Sequence, residues 1–239
     1  MINPKHLAMS IAAASLLAAS VRAPVAHAQT DTPTAGALLR KMASTYAEAH
    51  SYTDNSVANY RNPDGSERLA VEFKTWFARP AHFRIDAKST RPGGGTPRRE
   101  VMWSDGSMAR SWASDKPVSS RPKVQLAGSG MFGTYAYHVP TLLDASFGGT
   151  KRLHDMTSAE LAGEENFEGT DCYRIRGEFQ GSPYELWLGK ADHAVRKLIA
   201  KYRDHEMEEI HREINLNSAI SLEVFRFAPE LEAVPPPKK

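Results

Sequence analysis

The sequence contains a single cysteine, Cys172, in 239 residues. One thiol excludes an internal disulfide framework, so a buried apolar core has to hold the fold together. Cys172 lies in the alternating stretch DCYRIRGEF. It reads there as a buried structural thiol rather than a nucleophile. No cysteine stands near the N-terminus to carry a lipid. Neither sign of charge dominates: 30 basic side chains face 28 acidic ones. That balance gives no footprint for nucleic acid or for a strongly charged substrate. The N-terminal apolar run is too short for a spanning helix, which needs roughly 20 apolar residues, and no second run is long enough. The G-x-S-x-G elbow, the phosphate loop and the dinucleotide fingerprint are all missing. Acidic residues are scattered, and no pair stands out as acid and base. The chain has no internal repeats.

What is present begins with an export signal. Lys5 supplies the positive start, an apolar run extends from Leu7 to Val21, and Ala26-His27-Ala28 places small residues two positions apart. That order is what a signal peptidase accepts, and it predicts a cut after Ala28 and a soluble, periplasmic protein starting at Gln29. Residues 29–230 are expected to form a single domain, and residues 231–239, ending in PPPKK, a disordered tail.

Thr32-Pro33 is the signature of a helix start, with Thr32 as the cap and Pro33 at the first helical position. Leu38, Leu39, Met42 and Tyr46 recur at helical spacing, which predicts an amphipathic helix ending near His50. Strands dominate thereafter. Val71, Phe73, Thr75 and Phe77 alternate with Glu72, Lys74 and Trp76, and Phe83, Ile85 and Ala87 with Arg84 and Asp86. Tyr173, Ile175 and Phe179 alternate with Arg174, Arg176 and Glu178, and Tyr184, Leu186 and Leu188 with Glu185 and Trp187. A period of two puts one sheet face against apolar matter and the other against water. Asn62-Pro63-Asp64-Gly65, Ser104-Asp105-Gly106 and Gly181-Ser182-Pro183 read as turns between antiparallel strands. Residues 89–99 and 114–130 read as loops. VPTLLDASF (139–147) reads as a short apolar helix, and TSAEL (157–161) as a second helical candidate. A sheet with one apolar face needs a cover, and these few helices supply it. The expected fold class is mainly β (α+β), an antiparallel unclosed half-barrel with short helices covering the concave face.

HEMEEIH (205–211) lacks the His at i and i+4 of a zinc-protease helix, because position 209 is Glu. On a strand His205, Met207, Glu209 and His211 share one face. The expectation is a solvated outer face; a surface metal site is the weaker alternative.

Four segments resemble the superfamily of the periplasmic lipoprotein carrier LolA, of LolB and of the RseB N-terminal domain. EFKTWFARPAHFRID resembles its strand-RP-strand segment, and REVMWSDGSMARSW its next hairpin. VPTLLDASF falls at its lid helix, and FRFAPELEAV resembles its C-terminal F-x-F-x-P strand. The order is the family's, and the segments span most of the chain. The resemblance implies a hydrophobic cavity for acyl chains. Phe83 and Ile85 fall at the cavity-wall pair, with Phe73, Phe77, Leu142, Leu143 and Phe147 completing the ligand-binding set. It further implies that Arg79 latches the lid. The chain departs from the pattern in the 114–130 loop, in Glu230-Leu231-Glu232 after the last strand, and in having Ile85 as the second wall residue. The expectation is a non-enzymatic carrier or sensor of lipid or lipoprotein acyl chains, with no cofactor, no catalytic residue and no metal. An inner- or outer-membrane protein partner is consistent with it; nucleic acid is not. Two rivals stay open: an RseB-like regulatory sensor of a membrane partner, and a hydrolase using His and acidic residues that the sequence does not pair.

Overall fold

The computed structural model describes residues 32–121, 137–148 and 150–231. Residues 1–31, 122–136, 149 and 232–239 lie outside them. Helix α1 runs Ala35–Glu48 and buries Ala35, Leu38, Leu39, Met42 and Tyr46, the stripe predicted from spacing. Its start is two residues later than expected. Thr34, not Thr32, is extended and accepts the Ala37 amide at 3.2 Å, and Pro33 precedes the cap instead of following it.

Strands β1 (Ser51–Arg61), β2 (Glu67–Ala78), β3 (His82–Thr90), β4 (Arg98–Asp105), β5 (Ala109–Ala113) and β6 (Lys116–Arg121) form a meander. Helix α2 (His138–Leu143) and short 3-10 turns at Ala145–Phe147 and Leu153–Asp155 follow. A second meander then runs through β7 (Thr157–Phe167), β8 (Thr170–Phe179), β9 (Ser182–Gly189), β10 (Val195–Lys201) and β11 (Glu206–Leu216). The strand order is β6-β5-β4-β3-β2-β1-β11-β10-β9-β8-β7, with every neighbouring pair antiparallel. β1 and β11 join the two meanders at the centre, and β6 and β7 are edges that do not pair with each other. This is a mostly β, unclosed sheet, and among the described residues its only α-helices are α1 and α2.

Alternation places the core. Ser51 to Tyr60 in β1 put Tyr52, Asp54, Ser56, Ala58 and Tyr60 inward. The inward residues of β2 and β3 meet in register, Phe73 opposite Ala87, Thr75 opposite Ile85 and Phe77 opposite Phe83. α1 and α2 lie over this face. Tyr46 accepts the Val195 amide at 3.0 Å and Thr45 donates to the Asp192 carbonyl at 3.0 Å, which ties α1 to the start of β10.

Several local expectations are corrected. TSAEL is not helical; it opens β7, where pairing with β8 overrides the helix preference of Ala, Glu and Leu. The 114–130 loop contains β6, an edge strand that tolerates Pro117 because the outward N–H positions of an edge need no partner; residues 122–130 are outside the described set. The 89–99 loop shrinks to residues 91–97. The β8–β9 turn is Gln180-Gly181, both at positive φ as a two-residue hairpin turn requires, so Ser182 and Pro183 already belong to β9. The described part of FRFAPELEAV, residues 225–231, is not a strand. Leu222–Phe225 and Pro229–Leu231 are 3-10 turns, and the segment between them crosses the outer face of the sheet. Phe225 is buried against His82, and Phe227 packs on Trp103 and Trp112. The aromatic side chains anchor this segment in place of a hydrogen-bonded ladder. Cys172 is buried, and burial raises its thiol pKa.

Candidate functional site

The concave face of β2 and β3 carries Phe73, Phe77, Phe83 and Ile85, all nearly inaccessible to water. Above them sit Leu142 and Leu143 of α2 and Phe147 of the following turn, also buried. Phe147 rests on Phe83 at 5.0 Å between ring centroids and on Phe77 at 6.3 Å. All six residues of α2 are buried. This helix is buried on every side, between the sheet and α1, and its polar residues His138 and Thr141 are hydrogen-bonded there. The residues named from sequence therefore come together in one apolar cluster. The side chains of α2 and of the turn after it cover the wall.

Arg79 follows β2 at the rim. Its Nη2 donates to the carbonyls of Leu143 and Ala47, each at 2.7 Å, and its Nε to the carbonyl of Ala49 at 2.9 Å. Nη1 approaches the Asp144 carboxylate at 3.8 Å. The carbonyls at the C-terminal ends of α1 and α2 lack helical partners and carry partial negative charge. One guanidinium thus caps both helices and ties them to the sheet rim. Between the helices at this rim is a cleft of about 530 Å³, bordered by Ala43 and Ala47 of α1, Arg79, Thr141 of α2, Arg152 and His154.

A second feature was not expected. The β11 face carrying Met207, Glu209 and His211 is not a solvated outer face; all three are buried on the concave side. Its register explains this, since β11 pairs with β1 at the sheet centre and Met207 lies opposite Tyr60. His205 precedes the strand and stacks on Tyr202. Among the described residues no group of these side chains is arranged to hold a metal ion.

Instead they form a buried polar chain. Asp54 Oδ2 accepts from Tyr52 and Ser56 hydroxyls at 2.9 and 2.5 Å and lies 2.7 Å from His211 Nδ1. His211 Nε2 lies 3.1 Å from Glu209 Oε1, an ion-pair contact without hydrogen-bond geometry. Glu209 Oε2 lies 2.8 Å from Nδ1 of His138, the first residue of α2. His138 Nε2 reaches the Tyr184 hydroxyl at 3.2 Å, which meets the Tyr202 hydroxyl at 2.6 Å. Burial acts to raise the Glu209 carboxyl pKa, but the charge and hydrogen bond of His138 and the contact with His211 outweigh it and hold the group well below the usual carboxylate range. Burial likewise disfavours the His211 cation, yet its contacts with Asp54 and Glu209 lift its pKa to about 9. Burial pushes the Tyr52 and Tyr184 phenols well above their ordinary value.

Asp54, Ser56, His138 and Tyr202 were not singled out from sequence, and Tyr184 was named only as part of a strand's alternation. The available signal was period two: Asp54 shares its parity with Tyr52 and Ala58, so a carboxylate inside β1 required a buried partner.

No family model and no curated protein matches the sequence. Solved structures do match in fold. LprF from Mycobacterium bovis is 9% identical with a TM-score of 0.50, and the match covers 79% of this chain and 95% of that one. The lipoprotein LppX from Mycobacterium tuberculosis is 13% identical with a TM-score of 0.49, over 78% of this chain and 97% of that one. A LolA superfamily protein from Nitrosomonas europaea is 12% identical with a TM-score of 0.37, over 82% and 99%. The likeness is one of architecture: the chain shares its overall fold with LprF.

Proposed function

We propose that this chain is a periplasmic, non-enzymatic carrier that takes the acyl chain of a lipid-like molecule between the Phe73–Phe77–Phe83–Ile85 wall and the α2 lid. The supporting observation is how the lid is held. Its apolar side chains lie on an aromatic wall, and its C-terminal end is fastened to the sheet rim by one partly exposed arginine. Such a cover can leave without unravelling a strand. Moving a CH₂ group out of water is worth about 0.8 kcal/mol. A ten-carbon segment therefore offers roughly 8 kcal/mol, before the costs of ordering and association, toward displacing the lid. The N-terminal export signal supports the periplasmic placement, and no described helix is long and apolar enough to cross a membrane.

Equilibrium titration with the neutral fluorescent probe N-phenyl-1-naphthylamine tests this reading. Wild type should bind saturably. Phe147→Ala removes the ring that rests on the wall and should bind at least as tightly. Phe83→Asp puts a charge into the wall and should lose binding about 100-fold or more. Absence of saturable binding in both wild type and Phe147→Ala would contradict the proposal.

A further inference from the structure

The polar chain behind the wall bears on which lipid-like molecule fits, and this inference rests on the carrier reading. Glu209 sits at the sheet centre, opposite Ala58 on β1 and Leu198 on β10, and is wholly buried. Its two ion-pair contacts among the described residues are with imidazoles, those of His138 and His211. They differ in kind. His211 belongs to the sheet and is already engaged with Asp54. His138 belongs to α2, the element that covers the apolar wall. If an acyl chain enters where Leu142, Leu143 and Phe147 now lie, α2 has to move, and His138 is carried with it. Two carboxylates, Asp54 and Glu209, then share the single imidazole of His211. Unpaired charge in an apolar setting is costly, so the open chamber requires a replacement donor.

The surroundings define that donor. The polar groups facing the gap are Tyr52, Asp54, Ser56 and Tyr60 from β1, Tyr184 from β9, Tyr202 after β10, and Glu209 and His211 from β11. Tyr46 of α1 faces Tyr52 at 5.6 Å. No Arg or Lys among the described residues contacts either carboxylate. Asp54 Oδ1 is buried with no hydrogen-bond partner among the described residues, and so is the Tyr60 hydroxyl. What the site lacks without α2 is positive charge: its hydroxyls are neutral, and the two carboxylates face the imidazole of His211 alone. An anionic headgroup would meet two carboxylates there, whereas a protonated amine would meet what His138 now satisfies.

We propose that His138 is a stand-in for the ligand's headgroup: the chamber takes amphiphiles with a protonated amine, which docks on Glu209 in the place of the lid imidazole. Selectivity then comes from the sheet, and the lid is a self-ligand that keeps the empty chamber charge-paired.

The test is displacement of the neutral probe N-phenyl-1-naphthylamine at pH 7 by dodecylamine, dodecanol and dodecanoate, each below its micellar concentration. The expected order of affinity is amine, alcohol, carboxylate, with about tenfold or more between first and last from the charge-assisted contact. Glu209→Gln should collapse that preference. His138→Ala removes the competing imidazole without touching the wall and should tighten amine binding more than alcohol binding. It decides the question by itself if circular dichroism shows Glu209→Gln to be unfolded. Equal affinities for the three compounds in wild type, or a preference for dodecanoate, would overturn the headgroup inference while leaving the carrier reading intact. So would a His138→Ala variant that weakens the amine relative to the alcohol. Failure of all three to displace the probe would remove the carrier reading and this inference together.

Discussion

Glu209 and His211 stand two residues apart on one strand face, and their burial makes them a titratable strut inside an apolar core. Removing one member of such a network leaves an uncompensated charge and costs about 3–5 kcal/mol. The pH dependence follows from the directions of the shifts. The folded-state pKa of His211 is raised from 6.5 to about 9. Its stabilisation is complete below pH 6.5 and is lost as pH rises through 9. Glu209 is the opposite case, depressed below its ordinary 4.5, so its stabilisation is complete above pH 4.5 and is lost as pH falls further. Thermal unfolding followed from pH 4 to pH 10 should show a plateau between roughly pH 4.5 and 6.5, with stability falling on both sides. In His211→Gln the alkaline decline should flatten between roughly pH 6.5 and 9. An identical alkaline limb in wild type and His211→Gln would mean that this imidazole is not the ionised strut described.

Helix α2 is the element on which the account turns. It is six residues long, too short to be stable by itself, so its position is set by packing, by His138 at one end and by Arg79 at the other. Arg79→Leu should leave the sheet folded and loosen the C-terminal fastening. Stopped-flow exchange of N-phenyl-1-naphthylamine should become about tenfold faster or more in both loading and release, the scale of one lost charge-assisted hydrogen bond. Equal rates in variant and wild type would make Arg79 a loop brace and not a latch. The elements also show what local sequence carries. The inward faces of β2 and β3 were legible because alternation is a property of consecutive residues, and the α1 stripe because helical spacing is too. TSAEL was misread because its conformation is dictated by β8, a partner in a later part of the chain. The β11 face was misread for the same reason. Met-Glu-Glu-Ile-His alternates polar groups on both faces, and only pairing with β1 reveals which side is interior. Residue identity alone made a buried Glu–His pair look solvated.

At the scale of the molecule, the two meanders meet at β1 and β11 and leave β6 and β7 as separate edges, so the sheet curves around the helices without closing. In chain order α2 lies between β6 and β7, the two edge strands. The apolar wall, the covering helix and the rim arginine were expected from the segments resembling the superfamily, each of which is a run of consecutive residues. The polar chain was not, because it draws on β1, α2, β9 and β11, residues that only the completed fold brings together. Whether this arrangement serves as a carrier is tested most directly by native mass spectrometry, with organic extraction, of the protein isolated from the compartment in which it works. The account predicts a non-covalent amphiphile at one per chain, removable by extraction from a protein that stays folded and takes it up again. A protein that is isolated bare and folded, and that acquires nothing from a total lipid extract of the same cells, would contradict it.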